Sequence, residues 1–331
     1  MTDAHLRQRT PGGSAPGLPR EEATSLRKIG WIGAGRMGLA MATRLAKAGC
    51  DLVVYNRTRA KAEPLAQHGA RIAERLADLA DRDIVFAIVS TSDDLESVLI
   101  GPEGLYAQTG GKGPRIIVDC STIATEASAQ LRAALAERGA EFLAAPVSGN
   151  AKVVKAGKLS FVASGARAVF DEVAPYLACM GQGASYVGEG ELSRIVKVCH
   201  NVFLGVVIQS LAEITVLAQK AGVPRHAFLE FMNQSVLGSV FSRYKTPALV
   251  NLDFAVTFTP HLLRKDLDLG LDAGRELEVP MPLASLVRDL VQSLIGAGHG
   301  DKDFASLILL VARASGIELS PENAPVGDGL S

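Results

Sequence analysis

The sequence has few cysteines, few aromatic residues and no excess of charge of either sign. Its four cysteines form no CxxC pair and no Cys/His cluster at metal-ligand spacing. We therefore expect reduced thiols and no metal site. Lys and Arg number 34 against 35 Asp and Glu, and the formal net charge is −1. No overall field therefore draws this protein to nucleic acid or to an anionic membrane.

Long apolar runs are also missing. The longest purely apolar stretches fall far below the roughly 20 residues that cross a bilayer. Residues 1–26 are polar and rich in Pro and Gly, with no apolar signal-peptide core. We interpret residues 1–26 as a disordered leader and residues 318–331 as a disordered tail. The expectation is a cytoplasmic protein that binds neither membrane nor nucleic acid.

Between these termini the apolar pattern changes once. From Arg27 to Gly190, short apolar runs alternate with helix-length spacers, which predicts βαβ units and a parallel sheet buried on both faces. The predicted strands are Lys28–Ile32, Asp51–Tyr55, Ile84–Val89, Arg115–Val118, Phe142–Ala144 and Leu159–Ala163.

From Glu191 onward the strand signals fade. The stretch Leu192–Ala221 repeats apolar residues every three or four positions, which predicts one helix of about 30 residues. Further helices are predicted at Arg225–Asn233, Pro260–Leu277, Leu283–Ala297 and Phe304–Ser315. The fold class is therefore an α/β Rossmann domain with a mostly parallel, doubly wound sheet (27–190). An all-α C-terminal domain (191–317) follows and begins with the long interdomain helix.

The strongest local motif follows the first predicted strand at once and reads Gly33-Ala34-Gly35-Arg36-Met37-Gly38. In a dinucleotide-binding turn the first glycine permits a tight bend, and the second lets backbone approach a pyrophosphate. The third glycine lets the next helix pack against the strand, and the helix N-terminus faces the phosphates. Strand, turn and helix all agree here, so we expect these six residues to bind a dinucleotide.

The end of the second strand indicates which dinucleotide is bound. A site for NAD normally places Asp or Glu here to bind the ribose 2′-hydroxyl, whereas this chain has Asn56, Arg57 and Thr58. A guanidinium flanked by hydrogen-bonding side chains suits a 2′-phosphate. We predict that NADP(H) is preferred, with NAD(H) as the alternative if Arg57 is only a solvated surface residue.

Four ordered segments within residues 28–316 make the chain resemble the β-hydroxyacid dehydrogenase family. Its members include 3-hydroxyisobutyrate dehydrogenase, tartronate semialdehyde reductase and the glyoxylate/succinic semialdehyde reductases. The matching segments are Gly33–Gly38, Asp119–Thr122, Ala145–Gly149 and Lys197-x-x-x-Asn201.

Lys197 and Asn201 are four residues apart on the long helix, so their side chains leave the same face. The resemblance implies that this face lines an interdomain cleft, that Lys197 is the catalytic acid/base and that Asn201 serves both catalysis and substrate binding. A lysine enclosed in such a cleft loses hydration, which moves its pKa toward working pH.

Substrate contacts are expected at two turns. Ser121 follows an apolar strand and so lies at the edge where open α/β sheets bind ligands. The resemblance implies that Ser121 binds a substrate carboxylate together with the turn Ser148-Gly149-Asn150. Asn150 stands where the family usually has glycine, which narrows or re-polarises the pocket. Lys152 and Lys155 are either solvated or attract a more anionic substrate.

The remaining expectations concern the cofactor side and two departures from the family pattern. Phe258 and Lys265 resemble family residues that cover the cofactor, and Asp266 resembles the acidic partner that braces the catalytic region. The loop Val89-Ser90 is a further candidate contact with the cofactor ribose. His200 replaces a residue that is usually not ionisable, and we expect a packed histidine rather than a second acid/base. Arg194 is a weaker candidate for a substrate contact at the cleft mouth.

These expectations combine into an NADP(H)-dependent oxidoreductase that interconverts a small 3-hydroxy acid and its semialdehyde, or reduces a short aldehyde acid. Imine reduction on the same scaffold is one alternative, which Lys197 disfavours because imine reductases typically lack that lysine. A catalytically inactive dinucleotide-binding scaffold is the other. The expected partners are a small carboxylic-acid substrate and further copies of the chain, in a homodimer or homotetramer formed through the helical domain.

Overall fold

The computed structural model describes residues 27–107 and 109–330, and the leader predicted over residues 1–26 lies outside this part of the chain. The first unit contains a six-stranded, wholly parallel sheet with the strand order β3-β2-β1-β4-β5-β6. Its strands are β1 (Lys28–Ile32), β2 (Asp51–Tyr55), β3 (Arg71–Ile72), β4 (Ile84–Ala87), β5 (Ile116–Asp119) and β6 (Glu141–Ala144).

The central strands are buried because helices cover both faces of the sheet. Every residue of β4 and β5 is buried, as the continuous apolar runs predicted. Trp31 pairs in register with Val54 and Phe86, and its ring stacks on Phe86 with the centroids 5.7 Å apart. The strand order reverses between β1 and β4, and such a reversal opens a crevice at the carboxyl ends of the strands.

A small second sheet extends this unit. It contains β7 (Val147–Ser148), β8 (Ser160–Ala163) and β9 (Ala184–Tyr186), and a bridge between Ala144 and Ser164 links it to β6. The sequence did not predict β3, β7 or β9, because two or three residues are too few to show a periodic pattern. The helices of this unit are α1 (Arg36–Lys47), α2 (Ser92–Leu99), α3 (Thr125–Ala136), α4 (Ala151–Lys155) and α5 (Arg167–Met180).

The second unit is helical and is organised around one long helix. Its helices are α6 (Leu192–Lys220), α7 (Arg225–Gln234), α8 (Val240–Asn251), α9 (Pro260–Glu276), α10 (Pro282–Leu294) and α11 (Leu307–Ala314). The long helix predicted from Leu192 is confirmed as α6, which packs against α9, α10 and α11.

Helix α6 is long and apolar enough to cross a membrane by length and composition alone, but half of its most apolar window is buried inside the protein. The charged side chains of Arg194 and Lys197 are buried with it. Gly270 of α9 lets the two helices approach closely, because a Cβ at this position would collide with Val202 of α6. These contacts identify α6 as the core helix of the second unit.

Helix α8 is the one helix of eight residues or more in the second unit that the sequence did not predict. It begins after Ser239, whose side chain accepts a hydrogen bond from the Ser242 N–H, and it contains Pro247. Its buried side carries Lys245 and Thr246 as well as apolar residues. Proline and buried polar side chains together weaken the apolar periodicity on which helix prediction depends.

The prediction of a disordered tail is wrong for residues 318–330. They form neither helix nor strand, but hydrogen bonds hold them against the helical unit. The Glu322 carboxylate accepts from the backbone N–H of Arg225, 2.7 Å away. The side chain of Asn251 exchanges two hydrogen bonds with the backbone of Ala324. The polar composition that indicated disorder instead supplies these anchoring groups.

Candidate active site

A cleft of about 810 Å³ lies between the carboxyl ends of β1, β4 and β5 on one side and the helical unit on the other. Most of the predicted site residues meet on its walls. Those that line it are Gly33, Gly35, Arg36, Met37, Gly38, Asn56, Arg57, Thr58, Val89, Ser90, Ser121, Gly149, Asn150, Lys197, Asn201, Phe258 and Lys265. Two predicted residues, Ala34 and Ser148, are not among the lining residues.

The glycine turn has the geometry that a dinucleotide requires. Gly33 has φ +99°, and a side chain there would collide with the Ile88 carbonyl oxygen. A Cβ at Gly38 would collide with the carbonyl oxygen of Gly33, so this glycine is needed for the helix to pack on the strand. A Cβ at Gly35, the N-cap residue of α1, would meet open space, and no side chain caps the helix there. The free N-terminus of α1, with no acidic residue in its first turn, fits a pyrophosphate.

The side-chain oxygen and nitrogen of Asn56 are both hydrogen-bonded to the protein backbone. Its Oδ1 accepts from the Ala34 N–H at 2.7 Å, and its Nδ2 donates to the Thr58 carbonyl oxygen at 2.8 Å. The side chain therefore fixes the glycine turn to the end of β2. Ala34 itself is buried, which explains why it contributes to the shape of the turn and not to the cleft wall.

Charged side chains gather where the end of β2 opens into the cleft. The Arg57 side chain is 90% exposed, and its Nη1 lies 3.7 Å from Oδ1 of Asp94. Lys61, Arg75 and Asp94 line the same region and were missed in the sequence, together with Glu74. The closeness in sequence of the two basic residues Arg57 and Lys61, just after β2, is the signal that could have found the lysine.

The groups expected to carry out chemistry form a connected set. Lys197 is 9% exposed, and its Nζ donates to Asn201 Oδ1 at 2.7 Å. Asn201 Nδ2 donates to Asp266 Oδ2 at 2.5 Å. Lys265 Nζ lies 3.0 Å from the other oxygen of Asp266 and donates to the Thr122 carbonyl oxygen at 2.9 Å. The lysine at position 265 thus links the helical unit to the end of β5.

Burial lowers the pKa of Lys197 from 10.5 to about 8. The negative charge of Asp266 opposes this effect, and the positive charge of Lys265 reinforces it. A pKa near 8 makes both the protonated and the neutral amine accessible close to neutral pH, which is what a general acid/base requires.

Ser121 lies at the end of β5 with its hydroxyl group at the cleft. Its Oγ accepts from the Val89 N–H at 2.9 Å, and its backbone N–H donates to Asp119 Oδ1 at 3.0 Å. Because the hydroxyl accepts in this bond, its own proton stays available to donate to a ligand.

Arg194 does not lie at the cleft mouth, and the expectation of a substrate contact there is wrong. Its side chain is 1% exposed, and Nη2 lies 2.6 Å from Asp119 Oδ2. The same guanidinium donates to the Ser121 carbonyl oxygen at 2.7 Å and to Ser128 Oγ at 3.0 Å. Arg194 therefore braces the end of β5 from within the protein, and positions Ser121 indirectly.

The turn after β7 differs from the expectation in how its side chains are used. The side-chain oxygen of Asn150 accepts from the N–H groups of Lys152 and Val153 and so caps α4. Its Nδ2 is buried and has no hydrogen-bond partner among the described residues. Ser148 Oγ lies 2.8 Å from Nε2 of His200, so this histidine is more than a packed ring.

A buried ion pair fixes the segment that carries Phe258. Lys245 Nζ lies 2.6 Å from Oδ1 of Asp303, and both side chains are 2% exposed. Asp303 Oδ2 accepts from the N–H groups of Thr257 and Phe258. The Lys245 ammonium and these hydrogen bonds hold the pKa of Asp303 below its ordinary value, although burial opposes them. This part of the cleft wall is therefore rigidly positioned.

Fold and site together define a nicotinamide-dinucleotide-dependent oxidoreductase. The family model for the NAD binding domain of 6-phosphogluconate dehydrogenase matches residues 28–188. The model described as NAD-binding of NADP-dependent 3-hydroxyisobutyrate dehydrogenase matches residues 191–311. The chain belongs to the β-hydroxyacid dehydrogenase family and is an NAD(P)-dependent enzyme acting on CH–OH groups.

Individual relatives agree with this assignment. The chain is 30% identical to glyoxylate/succinic semialdehyde reductase 2 of Arabidopsis thaliana, over 88% of this chain and 81% of that protein. It is also 30% identical to 2-(hydroxymethyl)glutarate dehydrogenase of Eubacterium barkeri, over 88% and 97% of the two chains. The crystal structure of 3-hydroxyisobutyrate dehydrogenase from Salmonella typhimurium superimposes with a TM-score of 0.76 at 25% identity, covering 85% of this chain and 99% of that one.

Proposed function

We propose that this enzyme interconverts a small 3-hydroxy acid and its semialdehyde, or reduces a short aldehyde acid, with NADP(H) as the preferred cofactor and Lys197 as the general acid/base. The observation that carries the proposal is the enclosed Lys197 in the cleft. Its Nζ is held 2.7 Å from Asn201 Oδ1, and burial brings its pKa to about 8.

A bound nicotinamide cofactor supplies or accepts the hydride. In reduction, Lys197 Nζ donates a proton to the substrate carbonyl oxygen, which becomes the hydroxyl group. In oxidation, the neutral amine takes the hydroxyl proton as the carbonyl forms. Asn201 holds Nζ in place, and Asp266 fixes the Asn201 amide so that its oxygen faces the lysine.

The carboxylate of the substrate is proposed to bind at the ends of β5 and β7. The Ser121 hydroxyl proton is free to donate there. Gly149 and Asn150 line the same cleft, and the unpaired Nδ2 of Asn150 adds a buried donor. A buried donor without a partner carries a free-energy cost that a bound anionic oxygen removes.

The cofactor preference rests on charge at the end of β2. Arg57, Thr58 and Lys61 line the cleft at the place where an NAD site has an acidic residue. Two cationic side chains and a hydroxyl favour a 2′-phosphate over a 2′-hydroxyl.

A spectrophotometric panel tests the proposal. NADPH oxidation is measured with glyoxylate, succinic semialdehyde, tartronate semialdehyde and methylmalonate semialdehyde, with NADH as the second cofactor and Lys197→Met as the control. Turnover of at least one acid, lost in the control, supports the proposal. Turnover of cyclic imines with none of the acids would establish imine reduction instead. No turnover of any acid, despite cofactor binding, would contradict the proposed substrate class.

Self-association through the helical unit is part of the proposal. Large apolar side chains are exposed on α6, on α7 and the segment after it, and on α10, namely Phe203, Leu217, Phe231, Val236, Leu237, Leu283 and Leu286. Such surfaces mark protein interfaces, and we expect a homodimer or homotetramer. We also propose a cytoplasmic location and the division into a nucleotide-binding domain (27–190) and a helical domain (191–317). Light scattering after size exclusion measures the oligomeric state.

A further inference from the structure

One chain of hydrogen bonds connects the small sheet to helix α6, which carries Lys197. Ser148, on β7, lies between the cleft-lining residues Val147 and Gly149. Its Oγ is 2.8 Å from His200 Nε2 on α6, and His200 Nδ1 is 2.9 Å from Asn201 Oδ1. The histidine is half-buried and contacts a polar group at each ring nitrogen.

The partners of Asn201 determine which ring nitrogen carries the proton. Lys197 Nζ donates to Asn201 Oδ1, and Asn201 Nδ2 donates to the Asp266 carboxylate, so the amide orientation is fixed at both ends. Oδ1 can only accept, and His200 Nδ1 must therefore carry a hydrogen and donate to it. In the neutral ring Nε2 is then an acceptor, and the Ser148 hydroxyl donates to it.

We propose that His200 is a positioning residue, held as the Nδ1–H tautomer, that joins Ser148 of the substrate turn to Asn201 beside the catalytic lysine. The kinetic consequences of this inference rest on the proposed function, whereas the hydrogen bonds do not. It assigns Ser148 a different task from direct carboxylate binding, because the hydroxyl proton is committed to His200 while the ring is neutral.

Protonation of His200 reverses the direction of the hydrogen bond between His200 Nε2 and Ser148 Oγ. The imidazolium donates from Nε2 to Ser148 Oγ, and the serine proton is then released for another acceptor, such as a substrate carboxylate. The hydrogen bond from Nδ1 to Asn201 is unchanged. His200 therefore sets whether the hydroxyl group of Ser148, between the lining residues Val147 and Gly149, has lone pairs or a proton available at this edge of the cleft.

The charged groups acting on His200 come from two helices. Burial and the Lys197 ammonium on α6 lower the pKa of His200 from its ordinary value, while the Asn201 hydrogen bond and Asp266 on α9 oppose them. The small sheet presents the Ser148 hydroxyl to the ring. Because its pKa lies below the ordinary value of 6.5, the ring is neutral at pH 7.5.

Long-range ¹H–¹⁵N imidazole spectra of the full chain test the tautomer without any substrate. His200→Gln assigns the signal by its disappearance. The expected spectrum at pH 7.5 is that of the Nδ1–H form, and Ser148→Ala should raise the Nε2–H fraction of the same signal. An Nε2–H ring in the unchanged protein would overturn the proposal, whether or not the enzyme turns over any acid.

Kinetics test the positioning role once an acid substrate is known. The KM of the unchanged enzyme should fall about 2- to 10-fold as pH decreases through the titration of His200, the size expected for one hydrogen bond. His200→Gln should retain activity within about 3-fold at pH 7.5 and lose this pH dependence, because a non-titrating amide replaces the ring. His200→Phe should lower kcat/KM about 10-fold, and adding Ser148→Ala should cost little more. A His200→Gln profile superimposable on that of the unchanged enzyme would contradict the proposal.

Discussion

Lys197 and Asn201, one helical turn apart on α6, are joined by a hydrogen bond of 2.7 Å from Nζ to Oδ1. The lysine has its ammonium group at the cleft, and the asparagine is oriented from behind by Asp266. A side chain that is nine-tenths buried, hydrogen-bonded and in the same cleft as the glycine turn supports the proposed role in proton transfer.

Replacement of Lys197 by Met removes the proton donor while preserving an unbranched side chain in the buried position. We expect kcat to fall about 10²- to 10⁴-fold, the usual contribution of a general acid/base. Cofactor affinity, measured by fluorescence titration, should change less than about 3-fold. Lys47→Ala, at the exposed end of α1, is the control and should retain full activity. Loss of cofactor binding with Lys197→Met would assign the lysine to the cofactor.

The two reaction directions should respond to pH in opposite ways. Burial lowers the pKa of Lys197 to about 8, reduction needs the ammonium form, and oxidation needs the neutral amine. The kcat for reduction should therefore decline, and that for oxidation should rise, as pH increases through about 8. Initial rates between pH 6.5 and 9.5 in both directions measure this. Parallel profiles in the two directions would contradict the assigned role.

The cofactor preference should depend on Arg57 and on its acidic neighbour. Arg57→Ala should weaken NADPH binding about 10- to 100-fold, since a hydrogen bond between charged groups contributes roughly 1.5–3 kcal/mol. NADH binding should change little. Asp94→Asn should strengthen NADPH binding, because Asp94 lies 3.7 Å from Arg57 and shares the sign of a phosphate.

Arg59→Ala is the matched control, because Arg59 pairs with Glu63 and does not line the cleft. Titration of each variant with both cofactors makes the comparison. Equal affinities for NADPH and NADH in the unchanged protein would remove the basis for the preference.

The buried pair of Arg194 and Asp119 should be essential for stability. Arg194→Met leaves the Asp119 carboxylate without its partner in a place that water does not reach, which costs about 3–5 kcal/mol of unfolding free energy. Replacing both residues, as Arg194→Met with Asp119→Leu, should recover part of this loss. Arg167→Ala, which breaks an exposed pair with Asp171, should cost less than about 0.5 kcal/mol. Urea unfolding of the four proteins measures the differences.

Local pattern was sufficient for the parts of the fold that repeat over many residues. The central strands were predicted from their continuous apolar runs, and the long helix from Leu192 from its apolar periodicity, because burial imposes both patterns on the sequence. The helix from Val240 and the three shortest strands were not, since buried polar residues or very short length hide that period. The tail was predicted wrongly because composition does not reveal that the Glu322 carboxylate accepts hydrogen bonds from the backbone N–H groups of Arg225 and His226.

The same division holds in the cleft. The sequence by itself determined the glycine turn and the presence of Lys197 and Asn201 on one helix face, because these depend on spacing along a single element. Only the tertiary structure decided that Arg194 is buried against Asp119, that Asn56 braces the glycine turn, and that His200 reaches Ser148. These contacts join residues far apart in the chain, and their partners are selected by packing, which no local spacing encodes.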